Sequence, residues 1–287
     1  MESVRILHHK PAQTLSANRD AADVRENSLT IVDLVQYPAQ IRTVIQGAVY
    51  IRGLIEAART IFTYLGKILL LLSLSLTCAL LFWHIRAWIP GSLAYSYKTY
   101  VVWLDSSIFG VVPSLWVQQY CRIESLDGFL RGVWFSYVFV LIFGSTIVFI
   151  CRGQARRHVL SVIITLSAGL LVHYIVPTQP PWMAVEGVIR INGAPYTSAD
   201  KNLVAAMPSI HQAIICVLGC ALWQYGNLGR LVAITYNGLM AISLVYLGEH
   251  FLADSVAGVI LAIASWLLAE QILMRYREVK KELAEDT

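Results

Sequence analysis

LVAITYNGLMAISLVYLGEHFLADSVAGVILAIASWLLAEQIL, residues 231–273, decides the architecture. Two apolar runs flank the short polar break Gly248-Glu249-His250. Each is about 20 residues long, enough for a helix to cross a hydrocarbon core of about 30 Å. The first run carries no charged side chain, and the second carries only Asp254 before Glu270. Lipid offers no partner to backbone polar groups, so such runs must satisfy them internally as helices. The break between them then lies at a membrane surface.

The same pattern repeats toward the N-terminus. Apolar runs near 65–85, 129–150, 159–176 and 208–224 join 231–248 and 251–273 to make six spanning helices. Composition agrees, with 57% hydrophobic and 14% charged residues in 287 and a mean hydropathy of +0.60. A soluble domain carries about 25% charged residues. The expected fold class is all-α: a polytopic membrane protein with six transmembrane helices plus N-terminal and outer interfacial helices.

Residues 1–28 are polar and mixed in charge. From Pro38, Ile41, Val44, Ile45, Ala48, Ile51, Ile55, Ala58 and Phe62 share one helical face, while Arg42, Gln46, Arg52, Glu56 and Arg59 lie mostly opposite. That pattern predicts a helix lying in the membrane interface. No short apolar core with a small-residue cleavage site precedes it, so the first span is expected to act as an uncleaved anchor. The expected divisions are 1–62, a tail and interfacial helix; 63–275, the six-helix membrane domain; and 276–287, a second tail. Residues 86–128 are broken by Pro90, Gly91, Gly110 and Pro113, and read as interfacial or re-entrant.

The net charge of +4 is concentrated in short loops and tails. Arg152, Arg156, Arg157, Arg230, Arg275, Arg277, Lys280 and Lys281 fall on one side of a six-span chain. The positive-inside bias makes that side, with both termini, cytoplasmic, and turns 86–128 and 177–207 outward. No broad basic face suggests a nucleic-acid partner. The five cysteines form no CxxC pair or zinc-type cluster, so neither a metal, a cofactor nor a disulfide is expected.

Polar residues gather at the outward face. Met207-Pro208-Ser209-Ile210-His211 opens the fourth span, with Pro208 suited to its first turn. Free N–H groups at such a helix start favour a bound phosphate. From His211, 39 residues allow one helix inward, a turn at Tyr225–Gly229 and one helix back, returning His250 to the same face. Asp254 is four residues further on, one helical turn from His250. Its carboxylate is suited to accept from one imidazole nitrogen and leave the other free as a nucleophile. His173 is expected to be a hydrogen-bonded structural residue; His8, His9, His84 and His158 are expected in solvated positions, and Glu249 as an exposed loop carboxylate.

AAMPSIHQA (205–213) and YLGEHFLADSVAG (246–258) resemble the second and third signature motifs of the type 2 phosphatidic acid phosphatase superfamily. PTQPPW (177–182) and LDSSIFGVVPSLWVQ (104–118) resemble the branch containing inositol phosphorylceramide synthases and many bacterial lipid phosphatases. The likeness covers residues 95–260. It implies six helices and metal-independent chemistry, with His250 forming a phosphohistidine, Asp254 orienting it, His211 as general acid and Ser209 contacting phosphate. The first motif's lysine and arginine-proline are absent, and the third motif's serine-arginine reads Ser243-Leu244. Arg190 and Lys201 are the candidate replacements at the phosphate.

Three functions stay open on these residues. One is a hydrolase acting on a lipid phosphate or diphosphate. Another is a phosphotransferase similar to inositol phosphorylceramide synthase, passing the group to an alcohol acceptor. The last is a non-catalytic membrane protein that keeps the scaffold. The expected partners are membrane lipids and a lipid phosphate substrate.

Overall fold

The computed structural model describes residues 39–89, 99–151, 154–191 and 204–285. It divides into two units, Met1–Leu65 and Gly66–Thr287. Helices, numbered along the chain, are α1 (Ala39–Trp88), α2 (Thr99–Phe109), α3 (Pro113–Tyr120), α4 (Glu124–Ile150), α5 (Ala155–Ile175), the single turn α6 (Pro181–Ala184), α7 (Ile210–Leu222), α8 (Gly226–Tyr246) and α9 (Leu252–Glu285).

In the first unit α1 is exposed along its described length. The division expected at residue 62 falls inside α1, which runs unbroken for 50 residues. No proline interrupts Ala39–Trp88, and isolated glycines lower helical preference without stopping a helix.

The second unit is built around α7. Ten of its 13 residues are buried, from Ile210 to Ala221, the signature of a helix surrounded by others. The helices α4, α5, α8 and α9 all pack on it. Val140, Leu141 and Val148 of α4, Val162 and Leu166 of α5, Met240 and Leu244 of α8, and Ala262 and Trp266 of α9 share its core cluster, with Ala79 and Phe82 of α1.

By length and composition five stretches suit membrane crossing, or six if the bent α2–α3 pair counts as one. One of the five, Ile210–Tyr246, folds back on itself at the 3-10 turn Trp223–Tyr225. Its halves α7 and α8 lie side by side, with Gln212 Nε2 donating to Asn237 Oδ1 at 2.9 Å. The reversal comes slightly earlier than the expected Tyr225–Gly229, because Gly226 already begins α8.

Of the breaks expected in 86–128, Pro90 and Gly91 lie outside the described residues, while Gly110 and Pro113 mark a bend. Helices α2 and α3 meet at a 67° bend, where Gly110 has φ +75° and Pro113 opens the first turn of α3. The last helix continues past the expected end of the span to Glu285. Its exposed extension carries Arg275–Glu278 and Lys281–Glu285 pairs, the spacing that supports a solvated helix.

Candidate active site

The site forms where α7 begins and where α8 hands over to α9. At the end of α8, Gly248 N donates to Val245 O at 3.1 Å and Glu249 N to Leu244 O at 3.0 Å. These two bonds make a Schellman closure, which needs a left-handed residue after the helix. Gly248 supplies it with φ +73°. His250 follows, its N–H also reaching Leu244 O at 3.3 Å.

His250 therefore sits in the link before α9, two residues ahead of Leu252, rather than within the helix. The first N–H groups of α9 need outside acceptors. Asp105 of α2 supplies two: Oδ2 accepts from Leu252 N at 3.0 Å and Oδ1 from Ala253 N at 2.8 Å. Asp254 Oδ2 accepts from Phe251 N at 2.9 Å. The same oxygen lies 3.4 Å from His250 Nδ1, so one carboxylate both caps the helix and faces the imidazole.

Across the gap stands α7. Pro208 precedes the helix rather than occupying its first turn, and Ser209 is the N-cap, its Oγ accepting from Gln212 N at 3.3 Å. Ser209 N donates to Asp254 O at 3.0 Å. A Cβ at Gly258 would stand 2.5 Å from Ser209 O. Only glycine permits that approach, and it sets α9 beside the start of α7. His211 then faces His250, with Nδ1 to Nε2 at 3.1 Å. Tyr137 meets the His211 ring edge-on at 4.2 Å between centroids, and Trp134 lies at 5.6 Å. His173 is buried and Nε2 sits 3.1 Å from Pro208 O, matching the structural role expected of it.

Arg190 arrives on an irregular segment held against the end of α8. Gln118 of α3 clamps it: Nε2 donates to Ile189 O at 2.9 Å and to Tyr246 O at 3.0 Å, while Oε1 accepts from Ile189 N at 2.9 Å. The guanidinium of Arg190 pairs with Glu249 at 2.8 and 3.3 Å and lies 5.3 Å from the Trp182 ring. Glu249 is thus buried at 8% exposure and ion-paired, not the solvated carboxylate its loop position suggested. His158 likewise departs from expectation: it is buried, with Nδ1 3.0 Å from Ser145 Oγ, because α5 begins earlier than the apolar run implied.

Of the sequence-predicted site residues, His211, His250, Asp254 and Ser209 converge, and Arg190 stands beside His250 through Glu249. Lys201 lies outside the described residues. Ser243 and Leu244, where the serine-arginine would stand, are both fully buried, and Ser243 Oγ donates to Leu130 O at 2.6 Å.

Two contributors went unrecognised in the sequence. Arg86, near the end of α1, lies within electrostatic range of both His211 and His173, as Arg190 does of His211. Asp105 caps the helix that carries Asp254. Each had a faint signal, since an arginine in WHIRAW and an aspartate in YVVWLDSSIF are charges inside otherwise apolar stretches. Among the described residues no three His, Cys, Asp or Glu side chains are grouped as metal ligands.

The arrangement contains an imidazole with one nitrogen backed by a carboxylate, a second imidazole against its other nitrogen, and two guanidiniums within electrostatic reach. No curated protein matches the chain significantly. Among solved structures, that of Aquifex aeolicus LpxE is similar at 16% identity and a TM-score of 0.48, over 55% of this chain and 92% of that one. The family model of the PAP2 superfamily matches residues 101–268, a span that takes in Asp105, Arg190, Ser209, His211, His250 and Asp254. With more than half of its length matched, the chain belongs to the PAP2 superfamily.

Proposed function

We propose that the protein is a membrane lipid phosphate phosphatase that works through a phosphohistidine on His250. The carrying observation is the relay of Asp254, His250 and His211, at 3.4 and 3.1 Å. Asp254 favours the tautomer with a proton on His250 Nδ1 and a lone pair on Nε2. That lone pair attacks phosphorus, and the electron pair of the breaking P–O bond goes to the leaving alcohol. His211 donates the proton that alcohol takes up. Water then gives its proton to His211, attacks the phosphohistidine and releases phosphate.

Attack requires His250 Nε2 about 3–3.5 Å from phosphorus. His211 must meanwhile hold the leaving oxygen at about 2.6–3.2 Å. Rings already 3.1 Å apart cannot meet both conditions, so substrate must part them. Arg86 and Arg190 then serve in place of the family's missing basic signatures, stabilising charge on the phosphoryl oxygens; Ser209 Oγ and the N–H groups of α7 add donors. Lys201 remains a further candidate cation. Apolar helices on every side favour a substrate with a lipid tail, its head at the membrane surface. The arginine bias of the opposite helix ends supports a non-cytoplasmic site with cytoplasmic termini.

A phosphotransferase is the second reading. It is favoured by the burial of Ser243 and Leu244, which takes the usual arginine position out of the site as in the synthase-like sequence pattern. Radiolabelled lipid phosphate separates the two. Free phosphate from purified enzyme without acceptor supports hydrolysis; turnover only with an added lipid alcohol supports transfer. Substantial activity in His250→Ala, with no acid-labile label on the wild-type protein, would refute the covalent route for both.

A further inference from the structure

A second space opens far from the histidines, where α4 ends, α5 begins and α9 runs past the bundle. It is a cavity of about 550 Å³ whose lining includes Arg156, Arg157, Arg277, Glu270, Phe149 and Met274. At 1.5 Å per residue, Glu270 and Arg277 lie about 24 and 34 Å along α9 from Asp254. The cavity and the histidine pair therefore stand at opposite ends of helices long enough to cross a membrane.

The three arginines differ in what they do. Arg157 is engaged: Nη2 donates to Glu270 Oε2 at 2.7 Å, Nε to Trp266 O at 3.1 Å and Nη1 to Gln154 Oε1 at 3.2 Å. Its guanidinium also covers the Trp266 ring at 4.2 Å. Arg157 thereby neutralises Glu270 and ties α5 to α9. Arg156 and Arg277 are exposed, and their side chains have no hydrogen bond or ion pair with any described residue. The cavity lining is left with two uncompensated positive charges beside the apolar surfaces of Phe149 and Met274.

We propose that this cavity binds the headgroup of an anionic phospholipid, with the lipid phosphate between Arg156 and Arg277 and the glycerol and first acyl carbons against Phe149 and Met274. Free phosphate would satisfy the charges but leave the apolar wall unused. A zwitterionic headgroup brings an ammonium that the two arginines repel. Basic recesses between membrane helices are physically suited to such lipids, because surface arginines add attraction that a neutral headgroup does not feel.

Native mass spectrometry of the full chain in detergent tests this, titrating phosphatidylglycerol, phosphatidylcholine or inorganic phosphate. Phosphatidylglycerol is expected to bind as one tight copy per chain, at least about tenfold more tightly than phosphatidylcholine. Arg156→Gln with Arg277→Gln should weaken phosphatidylglycerol about 30-fold, while Arg156→Lys with Arg277→Lys keeps most of the binding. Equal retention of the two lipids by the unmodified chain overturns the proposal. So does unchanged phosphatidylglycerol binding in the folded glutamine variant. Inorganic phosphate that displaces the lipid as readily as a second lipid does would reassign the cavity to a soluble anion and also overturn it.

Discussion

Replacing Gly248 with alanine should damage both stability and turnover, and the structure separates the two causes. Gly248 has φ +73°, a conformation that costs an ordinary residue about 1–2 kcal/mol. A Cβ there would also stand 2.6 Å from Ile189 O and 3.2 Å from Gln118 Nε2. The backbone at Ile189 must withdraw by several tenths of an ångström, loosening the Gln118 clamp at a further cost of about 1 kcal/mol. The sum, about 2–3 kcal/mol, lowers the melting temperature of a chain this size by about 4–12 °C. Gly110→Ala is the control. It shares φ +75° but has nothing within 4 Å of its added Cβ, so it carries the strain without the collision. Because the displaced segment holds Arg190, Gly248→Ala should also lower kcat/KM at least about tenfold, whereas Gly110→Ala should not. Thermal unfolding in detergent at one scan rate, with steady-state kinetics on a lipid phosphate, measures both. If Gly248→Ala melts no lower than Gly110→Ala and keeps its kcat/KM, the close approach of Ile189 is not what fixes the site.

Asp254→Asn should lower kcat by about 10²–10⁴-fold with little change in KM, since it leaves the imidazole in the wrong tautomer; kcat within threefold of wild type would argue against an orienting carboxylate. Arg190→Gln and Arg86→Gln should each reduce kcat/KM by about 10–100-fold if they stabilise phosphoryl charge, and a double variant no worse than either single would show they act as a unit. Asp105→Asn removes one charge-assisted acceptor from the start of α9 and should destabilise by about 1.5–3 kcal/mol, read as a lowered melting temperature; an unchanged melt would mean that water replaces it.

The six apolar helices were legible because hydrocarbon forces long uncharged runs to be helical, and the bend after α2 because Gly110 and Pro113 mark it. The histidine pair was legible too: the 39 residues from His211 to His250 suffice for one helix inward, a turn and one helix back, which returns both to one level. Glu249 shows where such reading stops. A carboxylate in a loop looks solvated in one dimension, and its ion pair with Arg190, whose neighbour Ile189 is clamped by Gln118, offsets the cost of its burial.

Sequence alone determined what periodicity and composition control, namely the helices, the level of the two imidazoles, and the four-residue step that puts Asp254 near His250. Tertiary structure decided which charges meet. Asp105 reaches the start of α9 from 147 residues away, Gln118 reaches Ile189 across 71, and Arg86 comes within electrostatic range of His211 from a different helix. No local rule encodes these pairings, because each depends on how far apart packed helices stand. Here that spacing is set by contacts as small as the missing side chain of Gly258.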